Sequence, residues 1–149
     1  MKNKTILPPA CLCTAIIVML VLHLLLPLIK YQIFPWNLLG LIPLGLGVVF
    51  NLVADAAFKK ADTTVKPFEK STLLITDGVF RVSRNPMYLG FILMLSGIAL
   101  LLESLSPFLM IPVFFVVIQI YYIRAEERML EETFQDGWAS YTKQVRRWI

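Results

Sequence analysis

Residues 80–91 read FRVSRNPMYLGF, and four of them combine the right types for chemistry at a membrane threshold: Arg84, Asn85, Pro86 and Tyr88. Asn is favoured at a helix N-cap and Pro at the first helical position, so a helix is expected to open at Pro86. Its first N–H groups lack intrahelical partners and carry the positive end of the helix dipole, which suits a carboxylate or phosphate. Arg84 adds a planar fork of donors beside that terminus. Further along, RAEERML places the acidic pair Glu126 and Glu127 at the end of another apolar run. Ionised groups near lipid are expensive and usually functional. An anion-accepting terminus beside a cation-accepting pair suits a zwitterion with a cationic centre, and Tyr88 offers a π-face for that cation. The plainer account is a helix cap, a basic flank and a structural Arg–Glu bridge.

The elements that must bring these residues together are membrane helices. The chain has 149 residues, 58% of them hydrophobic, against ~45–50% in an ordinary soluble domain. The excess lies in charge-free stretches at Thr5–Ile29, Tyr31–Ala54, Asn85–Leu102 and Ser104–Ile123. A hydrocarbon core needs about 20 apolar residues of helix. The reading is an all-α polytopic membrane protein, one domain over 1–149. Its spans are expected at about 10–29, 36–58, 86–102 and 107–123, with a long loop at 59–85 and a tail at 124–149. Spans three and four form a hairpin with a short turn, so the start of one lies beside the end of the other. That places Arg84, Asn85 and Tyr88 opposite Glu126 and Glu127. Ser106 followed by Pro107 reads as the cap and first residue of the fourth span.

Thirteen of the fourteen basic residues fall in the N-terminal tail, the long loop or the C-terminal tail, and only Lys30 lies on the other side. This is the positive-inside pattern, which places both termini and the long loop in the cytoplasm. It also accounts for the net charge of +4 without nucleic acid. The first stretch is too long for the apolar part of a signal peptide and lacks a cleavage site. Cys11 and Cys13 have no companions to complete a metal site, and no metal is expected.

The long loop contains LLITDGVFRV, whose Asp77-Gly78 signals a hairpin or tight turn, and TTVKPF, which Pro67 stiffens. In the tail, Leu130, Phe134, Trp138, Tyr141, Val145 and Trp148 recur every three or four residues. They form the oily face of an amphipathic interfacial helix, an anchor or a lid, with a break expected at Asp136-Gly137. Asn51 and Asp55 share a face of the second span, as cavity lining or an interhelical contact. His23 is the sole histidine and reads as a packing or hydrogen-bonding residue.

Residues 63–90, TTVKPFEKSTLLITDGVFRVSRNPMYLG, followed by the Glu pair, a Tyr and a basic tail, resemble the isoprenylcysteine carboxyl methyltransferase family and the related phospholipid N-methyltransferases. The resemblance covers Thr63 to Trp148. Its pattern is Arg, His or Asn, Pro, any residue, Tyr, any residue, Gly, with a Glu-Glu pair one hairpin later. Here that pattern is carried by Arg84, Asn85, Pro86, Tyr88, Gly90, Glu126 and Glu127. The resemblance implies that these residues hold S-adenosylmethionine at the cytoplasmic face while a lipophilic acceptor enters from the bilayer. Asn85 stands where the prenylcysteine enzymes have His, Gln135 where the pattern has Gly and Trp138 where it has Tyr. These departures bear on the acceptor more than on the cofactor. A carboxylate or thiolate acceptor needs no base, whereas an amine would call on Glu127 or Tyr88. The rival readings are a membrane reductase using NADPH and a small four-helix transporter. The latter needs an acidic residue inside a span, and the central parts of the four stretches have none.

Overall fold

The structure, a computed structural model, describes residues 7–31, 34–62 and 72–149. The TTVKPF segment therefore lies outside the described residues. The fold is all helical. Helix α1 spans Pro8–Leu25, a 3-10 turn at Trp36–Gly40 leads into α2, Leu41–Lys60, and α3 spans Pro86–Leu101. Ser106–Phe134 is one rod assembled from a 3-10 turn, α4 (Met110–Ile118), a π turn (Gln119–Ile123) and α5 (Arg124–Phe134). Helix α6, Asp136–Gln144, completes the tail.

Three helical stretches, Pro8–Leu25, Trp36–Lys60 and Ser106–Phe134, are long and apolar enough to cross a membrane. Helix α3 has 16 residues, about 24 Å at 1.5 Å per residue, short of a ~30 Å core. The first span ends at Leu25 rather than near residue 29. Residues 26–31 instead run non-helically past the turn between α3 and α4, where Leu105 N–H donates to Leu28 O at 3.0 Å. Asp77-Gly78 makes the tight turn and not a hairpin. Gly78 takes φ 61° and a 3-10 turn follows at Gly78–Arg81.

Two packing modes hold the bundle. Side chains of α1, α3 and the rod interlock as one core around Met19, Leu95, Phe114 and Ile118. Helix α2 joins α3 differently, by backbone contact. A Cβ on Gly97 would stand 2.5 Å from Gly40 O and 2.7 Å from Leu44 N, and one on Gly47 would stand 2.4 Å from Gly90 O. Gly40 pairs with Gly97 and Gly47 with Gly90, an antiparallel register of small residues spaced seven apart on both helices. Close approach of this kind replaces the hydrophobic drive that lipid removes. Asn51 crosses the same contact, donating to Gly47 O at 2.9 Å and to Met87 O at 3.3 Å. It is the interhelical contact, whereas Asp55 pairs with Lys59 at 2.6 Å on the surface.

The tail breaks at Gln135, which takes φ 42°, one residue before the Asp136-Gly137 pair. Its apolar face turns onto the protein: Leu130, Phe134, Trp138, Tyr141 and Val145 pack with Ala54, Phe58, Phe80 and Met87.

The glycine register makes a sharp prediction. Gly97→Ala drives a methyl into two backbone atoms and should cost roughly 1–3 kcal/mol, as overpacking does. Gly45 has no atom of the described residues within 4 Å of the equivalent position, so Gly45→Ala should gain up to about 1 kcal/mol of helix propensity. Thermal unfolding of both variants in nanodiscs checks the pair.

Candidate functional site

The site forms where the start of α3, the start of α5 and the last residues of the chain meet. The π turn at Gln119–Ile123 re-phases the rod just before the two glutamates, and both then face α3. Tyr88 donates its hydroxyl to Glu126 Oε1 at 2.5 Å. Arg84 lies 3.4 Å from Glu127 Oε1, their side chains 13% and 12% exposed. The hairpin thus brings Arg84 and Tyr88 to the two glutamates, each to a different one.

Arg147, at the far end of the chain, completes the cluster. Its Nε donates to Glu127 Oε1 at 3.0 Å and its second guanidinium nitrogen to Oε2 at 2.5 Å, a bidentate pair. These bonds to Glu127 hold the Arg147 guanidinium above its ordinary value, against an opposing contribution from burial. Burying a carboxylate is costly unless it is paired and hydrogen-bonded, and Glu127 meets that condition with two arginines. Arg84 is also stacked 5.4 Å from the Trp138 ring centroid, a cation–π contact. Its Nε is nevertheless buried with no hydrogen-bond partner among the described residues.

The final residues form a strap across the threshold. Arg84 N–H donates to Arg146 O at 3.1 Å. Ser83 Oγ and Asn85 Nδ2 both donate to Arg147 O, each at 3.1 Å. Beyond them Trp148 stacks on Phe115, centroids 4.8 Å apart, and donates to Gln119 Oε1 at 3.1 Å. Tyr141 anchors α6 by donating to Phe80 O at 2.6 Å. Burial pushes its phenol up to about 12, the Arg84 charge opposing, so the donor proton is retained at neutral pH.

Several expectations need correcting here. The helix opens at Pro86, but Asn85 is not its cap: its side chain makes no capping bond and is drawn away to the strap carbonyl. Ser106 likewise does not cap the fourth span, its hydroxyl donating instead to Leu22 O at 3.3 Å. Gly90 faces Asn51 and Gly47 of α2 and serves that contact, while Pro86 is buried at the helix start. His23 bonds Ser104 Oγ through Nδ1 at 2.8 Å. Cys11 lies 3.6 Å from Tyr122 Oη and Cys13 is exposed. No group of metal-ligating side chains is found among the described residues. The residues that sequence reasoning missed are Ser83, Arg147 and Gln119. Arg147 is indistinguishable in sequence from any other basic tail residue.

Fold and site define a class: a helical membrane protein with a cluster of buried, paired ions at one end of its spans. The chain belongs to the phospholipid methyltransferase family, whose model matches residues 36–137. It is thereby a membrane methyltransferase. No curated protein and no solved structure matches the chain.

Asn85 offers a direct check on the strap. Asp caps helices as well as Asn and complements the dipole, so a capping role predicts that Asn85→Asp is silent or stabilising. The donor role predicts a loss of about 1–3 kcal/mol, because an acceptor would then confront Arg147 O. Chemical or thermal unfolding distinguishes the two, and the loss is expected.

Proposed function

We propose that the chain transfers a methyl group from S-adenosylmethionine to a lipophilic, lipid-borne acceptor at the membrane face that carries Arg84. The observation that carries this reading is the orphaned Nε of Arg84. A buried guanidinium N–H without an acceptor is unfavourable. It lies beside the start of α3, where the N–H groups of Met87 and Tyr88 precede the first helical bond, Leu89 N–H to Asn85 O at 3.0 Å. A carboxylate answers both needs. The cofactor's amino-acid end supplies that carboxylate and an ammonium, and its sulfonium supplies an activated methyl group.

In this reading the acidic pair has unequal roles. Both oxygens of Glu127 are taken by arginines, so Glu127 positions Arg84 and Arg147. Among the described residues Glu126 accepts from the Tyr88 hydroxyl alone, and in this reading it is the carboxylate that receives the ammonium. Where the acceptor is an amine, the Tyr88–Glu126 pair is also the proton acceptor best placed to serve it. For a carboxylate or thiolate acceptor the residues here orient the reactants and exclude water, and no base is required. The strap over the threshold and Trp148 beside Phe115 provide that exclusion on the polar side. A substrate with an acyl or prenyl chain reaches such a site from the bilayer. The basic residues at this end support a cytoplasmic location for both termini and the site.

The test is S-adenosylhomocysteine affinity in nanodiscs, with thermal stability followed in parallel. Glu126→Gln keeps shape and removes charge. Loss of one charge-assisted hydrogen bond corresponds to roughly a 10- to 150-fold weaker affinity. Arg84→Lys removes the fork while keeping the charge and should weaken binding similarly. Lys143→Gln, on an exposed turn of α6, should leave affinity unchanged. Unchanged affinity in both Arg84→Lys and Glu126→Gln, with folding intact, would reduce the threshold to a structural ion cluster.

A further inference from the structure

The opposite end of the bundle is built with equal care and takes no part in the site above. There residues 28–31 are fastened to the turn between α3 and α4. Tyr31 N–H donates to Glu103 O at 3.1 Å, and its hydroxyl donates to Ser104 O at 3.4 Å. Lys30 and Ser104 form an isolated antiparallel bridge. His23 is tied to the buried Ser104 hydroxyl through Nδ1, which leaves Nε2 as the ring's remaining hydrogen-bonding group. Ile29 and Glu103 take positive φ, 39° and 51°. That region is unfavourable for side-chain-bearing residues, most of all for a β-branched one. Strain of this kind persists where the surroundings over-determine it and gathers at ligand sites.

The strained residues adjoin a cavity of about 320 Å³ lined by His23, Lys30, Tyr31, Leu102 and Glu103, within the range of small-ligand sites. Its chemistry is mixed. Lys30 brings a cation, Glu103 a carboxylate, Tyr31 a phenol. Glu103 Oε1 is buried and accepts no hydrogen bond from the described residues. Burial and the Glu103 charge push the Tyr31 phenol above its ordinary value, so it keeps its proton as a donor. Leu24, Leu25, Leu28 and Ile29 are exposed alongside, and apolar side chains of that density belong against acyl chains. The cavity therefore lies at headgroup depth, where an apolar surface meets polar groups.

We propose that this cavity binds a zwitterion bearing a primary ammonium and a phosphate, the chemistry of an ethanolamine phospholipid headgroup. Glu103 receives the ammonium and Lys30 the phosphate. A primary ammonium has three N–H donors and satisfies the orphaned carboxylate oxygen. A quaternary ammonium has none and leaves Oε1 as it is. A simple anion would leave Glu103 uncompensated, and the described residues hold no cluster of metal ligands here. The cavity lies beyond the far end of α3, about 20 Å from Tyr88 at 1.5 Å per residue, so its occupant is not the methyl acceptor in place.

The experiment uses the full chain in phosphatidylcholine nanodiscs containing phosphatidylethanolamine, phosphatidylglycerol or neither, and reads retained lipid by native mass spectrometry. Phosphatidylethanolamine should be retained roughly 10-fold over the other two at equal mole fraction, the factor expected of one charge-assisted bond. Glu103→Gln and Lys30→Gln should each bring retention close to parity, with helical content unchanged by circular dichroism. Lys30→Arg should keep most of the preference. Glu126→Gln should keep all of it, which separates this cavity from any lipid held as substrate at the far end. Thermal protection by soluble O-phosphoethanolamine, without any lipid preference, would assign the same zwitterion to a free metabolite and overturn the lipid source. Equal retention of all three lipids by the unaltered chain, with no such protection, would overturn the site. So would a preference that survives in both Glu103→Gln and Lys30→Gln.

Discussion

A carboxylate that is 12% exposed cannot stand alone in a membrane protein, and the arrangement around Glu127 follows from that constraint. Two arginines answer it, one from before α3 and one from the last residues of the chain. Joining them to one carboxylate fixes the end of the rod against the start of α3 and draws the tail back across both. The strap carbonyls then satisfy Arg84 N–H, Ser83 and Asn85. Tyr88 and Glu126 sit beside this junction as a separate pair, hydrogen-bonded to each other. The junction is thus structural scaffolding that holds a buried donor, the Nε of Arg84, for which the described residues supply no acceptor. A site for an amino-acid zwitterion grows out of it with little further construction.

The second constraint is lipid itself. Helix α2 gains nothing from hiding apolar side chains in a medium as apolar as they are, so it holds α3 through glycines whose backbones touch. Asn51 adds a bond to Met87 O at the same contact. The opening of α3, where the candidate site lies, is in this way braced by α2 on one side and by the rod on the other. Burying the tail's apolar face against Ala54 and Phe80 completes the brace.

Much of this was legible in the residues. The all-helical membrane fold follows from four long charge-free stretches, and the meeting of Arg84 and Tyr88 with Glu126 and Glu127 follows from a short turn between two helices. The rest required distances. Asn85 and Ser106 both carry capping chemistry, yet tertiary acceptors at Arg147 O and Leu22 O outcompete the local N–H groups, which no local pattern discloses. The tail has the periodicity of a surface-lying helix, because burial against protein and burial against lipid leave the same mark on a sequence. Gly40, Gly47, Gly90 and Gly97 did carry a signal, a spacing of seven on each helix, readable once close helix packing is sought. Arg147 carried none: a basic tail residue looks alike whether it faces headgroups or a buried carboxylate.

The claim that Glu127 is the junction of helix, rod and strap is tested most directly by a double-mutant cycle between Glu127→Gln and Arg147→Gln, read as unfolding free energy in nanodiscs. Either single change leaves a charge without its partner, so the pair together should cost less than the sum. A coupling of roughly 0.5–3 kcal/mol is the predicted result. Costs that add within about 0.3–0.5 kcal/mol, the behaviour of independent sites, would contradict the account.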